Sequence, residues 1–254
     1  MRIVQISDLH LWTHDDDPRT ARYLENATDH PNGADNLGSL HAVLDHVQAV
    51  CSGGFDKLVI SGDIAQDEQY ETYELLRRVL VDRGLLDLTL CLPGNHEQRG
   101  FLRKVFGGGS AAELHGGFSD HVCGWRLIGI DTHDTDAKVG WDGEMAHLYG
   151  WDGGTGRLQH AQLQWLEDEL CRHRAPPTVV FLQHPPMSVG SPWVDTILIE
   201  QPGQGELERI LARSPQVRAV HCGESLPLHA KDSQKQLALR KFSFASNWRR
   251  ALCL

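Results

Sequence analysis

Apolar positions along this chain recur in two rhythms. Short runs stop abruptly at Gly or a polar residue: Arg2-Ile3-Val4-Gln5-Ile6, Lys57-Leu58-Val59-Ile60, Leu88-Thr89-Leu90-Cys91-Leu92, Trp125 to Ile130, Thr178-Val179-Val180-Phe181-Leu182 and Val217 to His221. Runs this short and this apolar suit strands of a parallel sheet. Between them, apolar residues recur at intervals of three and four. Leu37, Leu40, Val43, Leu44, Val47 and Val50 predict a helix from Asn36, stopped by Gly53-Gly54. Tyr70, Tyr73, Leu76, Val79 and Leu80 predict a second over Glu68 to Asp82, with Gly84 just beyond its end. A short helical piece over Phe101–Phe106, a helix from Leu158 to Arg174 stopped by Pro176-Pro177, and one from Gly205 to Ala212 complete the set. The opening order β-α-β-α-β implies right-handed crossovers and a parallel sheet. Two stretches lack a period. Thr13 to Gly33, rich in Asp, His, Asn and Pro, reads as a surface loop or cap, and residues 134 to 157 read as a long loop, a kind that is usually functional or mobile.

Several strands end in residues that carry chemistry. The first delivers Ser7-Asp8-Leu9-His10, the second Ser61-Gly62-Asp63, the third Pro93-Gly94-Asn95-His96-Glu97, and the run ending at Leu182 delivers Gln183-His184-Pro185-Pro186. The C-terminal strand edge is where α/β folds place their chemistry, and Asp63 stands at the centre of it. Asp, His and Asn on one rim make a metal site by ligand type. Each piece alone has a plainer reading: Ser7-Asp8 as a turn cap, Asp63 as the N-cap of the next helix, His184 as a loop histidine. Gly94-Asn95 is turn chemistry too, but the adjoining His96 has no role in a turn. Their order and placement together raise the signal. His14 with Asp15, Asp16 and Asp17 reads as a solvated acidic loop. His133 beside Asp131 reads as a strand-end turn, and Trp141, Trp151 and Trp193 as core or lid packing.

The ordered set D-x-H, G-D, G-N-H-E and a later His resembles the calcineurin-like metallophosphoesterases over residues 1 to 223. Ser7-Asp8-Leu9-His10-Leu11, Gln183-His184-Pro185-Pro186 and Gly190-Ser191-Pro192-Trp193 look like the class III cyclic nucleotide phosphodiesterase branch. The resemblance implies an α/β fold, a four-layer αββα sandwich of two mixed sheets, with a two-metal site at the strand ends. By position, it implies that Asp8 and His10 bind one metal, Asp63 bridges both, and Asn95 and His184 bind the other. His96 would be the catalytic histidine beside the leaving group. The implied reaction is phosphodiester hydrolysis, of 3′,5′-cyclic nucleotides above all, by attack of a metal-bridging hydroxide. The mixed N/O ligands favour Mn, Fe or Zn over Mg or Ca without choosing among them. A phosphomonoesterase or nucleotide pyrophosphatase with the same site is the near alternative, and a metal-poor binding module the distant one.

Composition narrows the partners. With 254 residues, 41% of them hydrophobic, one large domain with a proper core is expected. A net charge of -10 and a pI near 5.8 argue against a broad basic face for a nucleic acid duplex or anionic lipid. The resemblance implies a small-molecule phosphate ester or nucleotide as the partner, and leaves a homodimer open as an assembly. No stretch approaches the ~20 apolar residues of a membrane span, and no apolar leader follows Met1. The six Cys form no C-x-x-C pair, so reduced thiols in a cytoplasmic protein are expected.

One departure stands out. The family closes its site with G-H-x-H after the last strand, whereas this chain has Gly223-Glu224-Ser225-Leu226. Glu224 can still offer an oxygen; Leu226 offers nothing. His221 and His229 read as a strand-end and a surface-loop residue rather than as substitutes. Composition shifts at the same point: residues 222 to 254 hold six Lys/Arg and two Asp/Glu, against eighteen and thirty-two before them. Residues 1–223 are therefore expected to form the phosphoesterase domain and 224–254 an atypical basic segment. An altered reading frame or an alternative C-terminus beginning near Gly223 would account for both changes.

Overall fold

The computed structural model describes residues 1–26, 35–107, 117–133, 155–188 and 198–223. Two compact units divide the chain at Phe118 and Ser119. The first contains β1 (Ile3–Ile6), α1 (Pro18–Asn26), α2 (Asn36–Val50), β2 (Lys57–Ser61), α3 (Tyr70–Asp82), a 3-10 turn (Leu86–Leu88), β3 (Thr89–Leu92) and α4 (Arg99–Phe106). The strands form a parallel sheet in the order β1-β2-β3. Its register sets Ile6 opposite Ile60 and Ser61 opposite Leu92, so the chain leaves all three strands at one edge.

The predicted helical stripes are the buried ones. Leu40 and Leu44 of α2, and Tyr73, Leu76 and Leu80 of α3, join Leu58 and Ile60 of β2 in one cluster. Burying each such side chain contributes about 1.5–3 kcal/mol. Asp35 caps α2 by accepting the Gly38 N–H. Gly84, at φ 66°, ends α3. Its N–H donates to Val81 O (2.9 Å) and that of Leu85 to Leu80 O (2.8 Å), the paired bonds of a Schellman motif.

Helix α1 corrects the reading of Thr13 to Gly33 as a loop. Pro18 occupies the first helical position, where its missing N–H costs nothing, and Asp17 accepts the Arg19 N–H at 2.8 Å. With Ala21, Tyr23 and Leu24 as its apolar residues, this helix is too short and polar to announce itself by period.

The second unit contains β4 (Phe118–Val122, which begins at the boundary), β5 (Trp125–Gly129), α5 (His160–Arg172), β6 (Thr178–Leu182), α6 (Gly203–Ala212) and β7 (Val217–Cys222). Its sheet runs β4-β5-β6-β7, with β5, β6 and β7 mutually parallel. Strands β4 and β5 are joined by Cys123-Gly124, whose φ values of 50° and 80° are those of a type I′ turn, so this edge pair is an antiparallel hairpin. β4 was not anticipated, because Phe-Ser-Asp-His-Val on a sheet edge carries no apolar run. β6 is buried at every position, and α5 buries Leu163, Leu166 and Leu170 as its stripe predicts. One parallel and one mixed sheet, interleaved with helices, match the expected α/β class.

Most of the 134–157 loop, Trp141, Trp151, Gly190 to Trp193, His229 and all of 224–254 lie outside the described residues. No described helix is long and apolar enough to cross a membrane.

Replacing fully buried Leu76 by Ala is expected to cost about 2–5 kcal/mol in urea unfolding. Val81→Ala, on the exposed side of the same helix, is expected to stay within about 0.5 kcal/mol of the parent. Equal effects would place the core elsewhere.

Candidate metal centre

The chain leaving β1 continues alongside the chain leaving β2. Asp8 N donates to Gly62 O (3.1 Å), His10 N to Asp63 O (2.9 Å) and Leu11 N to Ile64 O (2.8 Å), while Gln66 N returns a bond to Leu11 O (2.7 Å). This pairing lays Asp8 and His10 beside Asp63. All three have left-handed backbones, with φ of 56°, 43° and 52°. Non-glycine residues rarely adopt that region, and holding one there costs on the order of 1–3 kcal/mol. With Glu68 (φ 53°) further along the second loop, four such residues on two adjacent loops point to a site that over-determines its backbone.

The loop after β3 completes the arrangement. A Cβ on Gly94 would lie 2.1 Å from Asp63 Oδ1, so the approach requires glycine. His96 N donates to the same oxygen at 3.2 Å. Glu97, buried, binds the two loops together. Its Oε2 accepts the N–H groups of Asp63 (3.0 Å) and Gly94, and its Oε1 those of Ile64 and Ala65 (3.3 Å). Burial and the nearby Asp63 charge push the Glu97 carboxyl up to about 8, against the pull of the Gly94 and Ile64 N–H groups. Arg99 braces the loop from outside, donating to Gly94 O (3.0 Å) and Glu97 O (3.1 Å). Buried Tyr73 accepts the Gln98 N–H at 2.9 Å.

His10, Asp63 and His96 each present a ligand atom within 4.8 Å of the others. His10 Nε2 lies 3.8 Å from Asp63 Oδ2, and the His10 and His96 rings meet edge to face at 5.0 Å. Asp8 and Asn95 sit on the same loops, within two residues of this group. Asn95 Oδ1 is buried and accepts no hydrogen bond from a described residue. An orphaned acceptor of that kind costs about 1–3 kcal/mol. A cation relieves it, and imidazole nitrogens with carboxylate and amide oxygens are a donor set for a first-row transition ion. The residues present therefore fit a metal. His96, expected to stand beside the leaving group, lies against His10 and Asp63 in this cluster.

His184 stands in the second unit, fully buried just past β6. Its Nδ1 lies 2.7 Å from Thr132 Oγ1, which also accepts the His184 N–H at 3.2 Å. With Nδ1 so engaged, any ligation by this imidazole would fall to Nε2. A Cβ on Gly156 would meet the His184 Cβ at 2.6 Å, so glycine is again required. His133 stacks on His184 with ring centroids 6.2 Å apart, and its N–H donates to Asp131 Oδ1 at 3.0 Å, the strand-end turn expected of it. His221 stacks on Phe181.

The acidic loop is largely structural. Asp15 accepts the Trp12 indole N–H, Asp17 opens α1, and fully buried Asp67 holds Thr13 N (2.8 Å) and Thr72 Oγ1 (2.9 Å). Sequence reasoning passed over Glu97, Gln66 and Thr132. Glu97 had a signal in G-N-H-E, whereas the other two are visible only once the loops are paired.

A family model described as calcineurin-like phosphoesterase matches residues 1–224. A 3′,5′-cyclic-nucleotide phosphodiesterase of Nostoc sp. is 28% identical over 221 residues, covering 87% of this chain and 70% of that protein. The 3′,5′-cyclic adenosine monophosphate phosphodiesterase of Escherichia coli (strain K12) is 24% identical over 223 residues, covering 88% and 68%. A glycerophosphodiester phosphodiesterase of Enterobacter lignolyticus is 29% identical over 177 residues, covering 67% of this chain and 55% of that protein. Among solved structures, a purple acid phosphatase from yellow lupin seeds aligns with a TM-score of 0.51 at 12% identity, over 87% of this chain and 37% of its own, a likeness of fold.

Glu97→Gln turns an NH₂ group toward backbone N–H donors that need an acceptor. The expected loss is about 1–3 kcal/mol, read as a melting temperature several degrees lower. An unchanged melting temperature would remove the carboxylate as the link between the loops.

Proposed function

Because the chain belongs to the calcineurin-like phosphoesterase family and is a metal-dependent phosphoric ester hydrolase, we propose that it hydrolyses phosphodiesters, 3′,5′-cyclic nucleotides foremost, at a two-metal site. The observation that carries this reading is the meeting of His10, Asp63 and His96 beside the orphaned Asn95 oxygen. In the proposal, Asp8 and His10 would hold one ion, Asn95 and His184 the other, and Asp63 would be shared by both. Mn, Fe or Zn suits that donor set. When bound, such a pair activates water at neutral pH and neutralises charge on the phosphoryl oxygens.

The remaining work falls to the chain. Hydrolysis breaks one P–O bond and leaves an alkoxide that needs a proton, and the His96 imidazole is the group proposed to donate it, an effect typically of 10²–10⁴-fold. Asn95 supplies a neutral oxygen, which limits ligand charge. A diester is favoured over a monoester by the names of the relatives, two of them cyclic nucleotide and one glycerophosphodiester phosphodiesterases. A reducing compartment, the cytoplasm, is part of the proposal and is supported by five free cysteines among the described residues. A second reading, a metal-poor binding module, is favoured by one observation: Glu224 and Leu226 stand where the family has histidines.

Asp63→Ala is expected to lose metal and activity together, whereas His96→Ala is expected to keep its metal and lose about 10²–10⁴-fold in turnover. Elemental analysis after Mn loading, paired with rates on a bis-aryl and a mono-aryl phosphate, measures both. Normal metal content in Asp63→Ala would defeat the bridging role, and less than about one ion per parent chain would favour the binding module.

The double change Glu224→His and Leu226→His is expected to slow metal loss to a chelator. No change in that rate would place this loop away from the site.

A further inference from the structure

His10 can bind an ion through Nε2 only if its proton sits on Nδ1. We infer that Gln66 is the positioning residue that fixes this tautomer. Gln66 Oε1 lies 2.8 Å from His10 Nδ1, and its Nε2 faces the Arg19 carbonyl at 3.5 Å. A carbonyl only accepts, so it draws the NH₂ end of the amide and leaves Oε1 toward the imidazole. Oε1 in turn only accepts, so Nδ1 carries the hydrogen. The lone pair then falls on Nε2, the atom 3.8 Å from Asp63 Oδ2.

The geometry is held from several sides. Gln66 is 5% exposed, and its backbone N–H is bonded to Leu11 O at 2.7 Å. Tyr23 of α1 stacks on the His10 ring at 5.5 Å, and Asn36 Nδ2 donates both to His10 O (2.8 Å) and to the Tyr23 hydroxyl (3.0 Å). Those contacts fix the ring plane and the backbone. Neither distinguishes one ring nitrogen from the other; the Gln66 amide does. A neutral amide also sets the tautomer without adding charge to a site that already holds Asp8, Asp63 and Glu97.

This inference rests on the proposed role of His10 as a ligand, and the test separates the two. Long-range ¹H–¹⁵N correlation spectra of the metal-free protein report the His10 tautomer, assigned by its loss in His10→Ala. The parent is expected to show the Nδ1–H form. Gln66→Leu is expected to move the proton to Nε2 and to weaken Zn binding about 10–100-fold by calorimetry, with the melting temperature as a control for folding. Gln66→Glu, which keeps an acceptor against Nδ1, is expected to retain the parent tautomer and most of the affinity. If Gln66→Leu leaves tautomer and affinity unchanged while His10→Ala loses Zn, Gln66 has no such role and the proposed function stands. Loss of the parent tautomer in Gln66→Glu would also overturn the inference. Parent-like Zn binding by His10→Ala would overturn the ligand role itself.

Discussion

A single buried carboxylate, Glu97, is the interaction on which the candidate site depends. The loops after β1 and β2 go on pairing with each other, but the loops after β2 and β3 approach closely and need another partner for their N–H groups. Glu97 collects the N–H groups of Asp63, Ile64, Ala65 and Gly94, two on each oxygen. Each such hydrogen bond contributes about 0.5–1.5 kcal/mol, so the four together are of the same order as the backbone strain at Asp63. Glu97 thus holds the left-handed backbone at Asp63, to which Asp8 and His10 are in turn bonded through Gly62 O and Asp63 O. Gly94 has the complementary role, since any side chain there would occupy the space of the Asp63 carboxylate.

This construction crowds two carboxyl groups that cannot both ionise freely without a counter-ion. Glu97 and Asp63 are both buried, and the charge of Asp63 helps raise the Glu97 carboxyl. Like charges held together without a counter-ion oppose folding, so the arrangement makes sense as the interior of a cation site. The Asn95 oxygen, the His10 nitrogen facing Asp63 and the adjacent His96 fit the same interpretation. Of these, the Asn95 oxygen is the acceptor that no described residue satisfies.

The strand exits were legible because a short apolar run that stops at Gly or a polar residue is a local signal, and Asp8, His10, Asp63, Asn95, His96 and His184 all lie directly after such runs. Helices α2, α3 and α5 were legible because each carries a stripe of Leu, Val or Tyr long enough to show its period. Helix α1 was not, since Asp17-Pro18 marks its start by capping chemistry while its nine residues bury little. Strand β4 was not, because an edge strand with one antiparallel neighbour can be polar at most positions. Glu97 and Gln66 escaped for a different reason. Their roles are defined by which two loops meet, and no window of sequence contains both loops.

In the proposed enzyme, Glu224 and Leu226 in place of the G-H-x-H histidines would leave fewer donors and change what the rest of the site has to do. Ion affinity is the attraction of the donors less the cost of ordering them, so a site with fewer donors can hold its ion only if those remaining are already in position. Around His10 the structure shows that preparation: Gln66 at Nδ1, Tyr23 against the ring and Asn36 on the backbone carbonyl. Around Asp63 it shows the His96 N–H on one oxygen and the Glu97 clasp behind the backbone. Helix α1, which brings Tyr23 and the Arg19 carbonyl to this cluster, is thus more than a cap over the sheet edge. In the proposed enzyme it would be part of what lets a reduced ligand set retain metal, and its contacts reach the chemistry through the orientation of one imidazole.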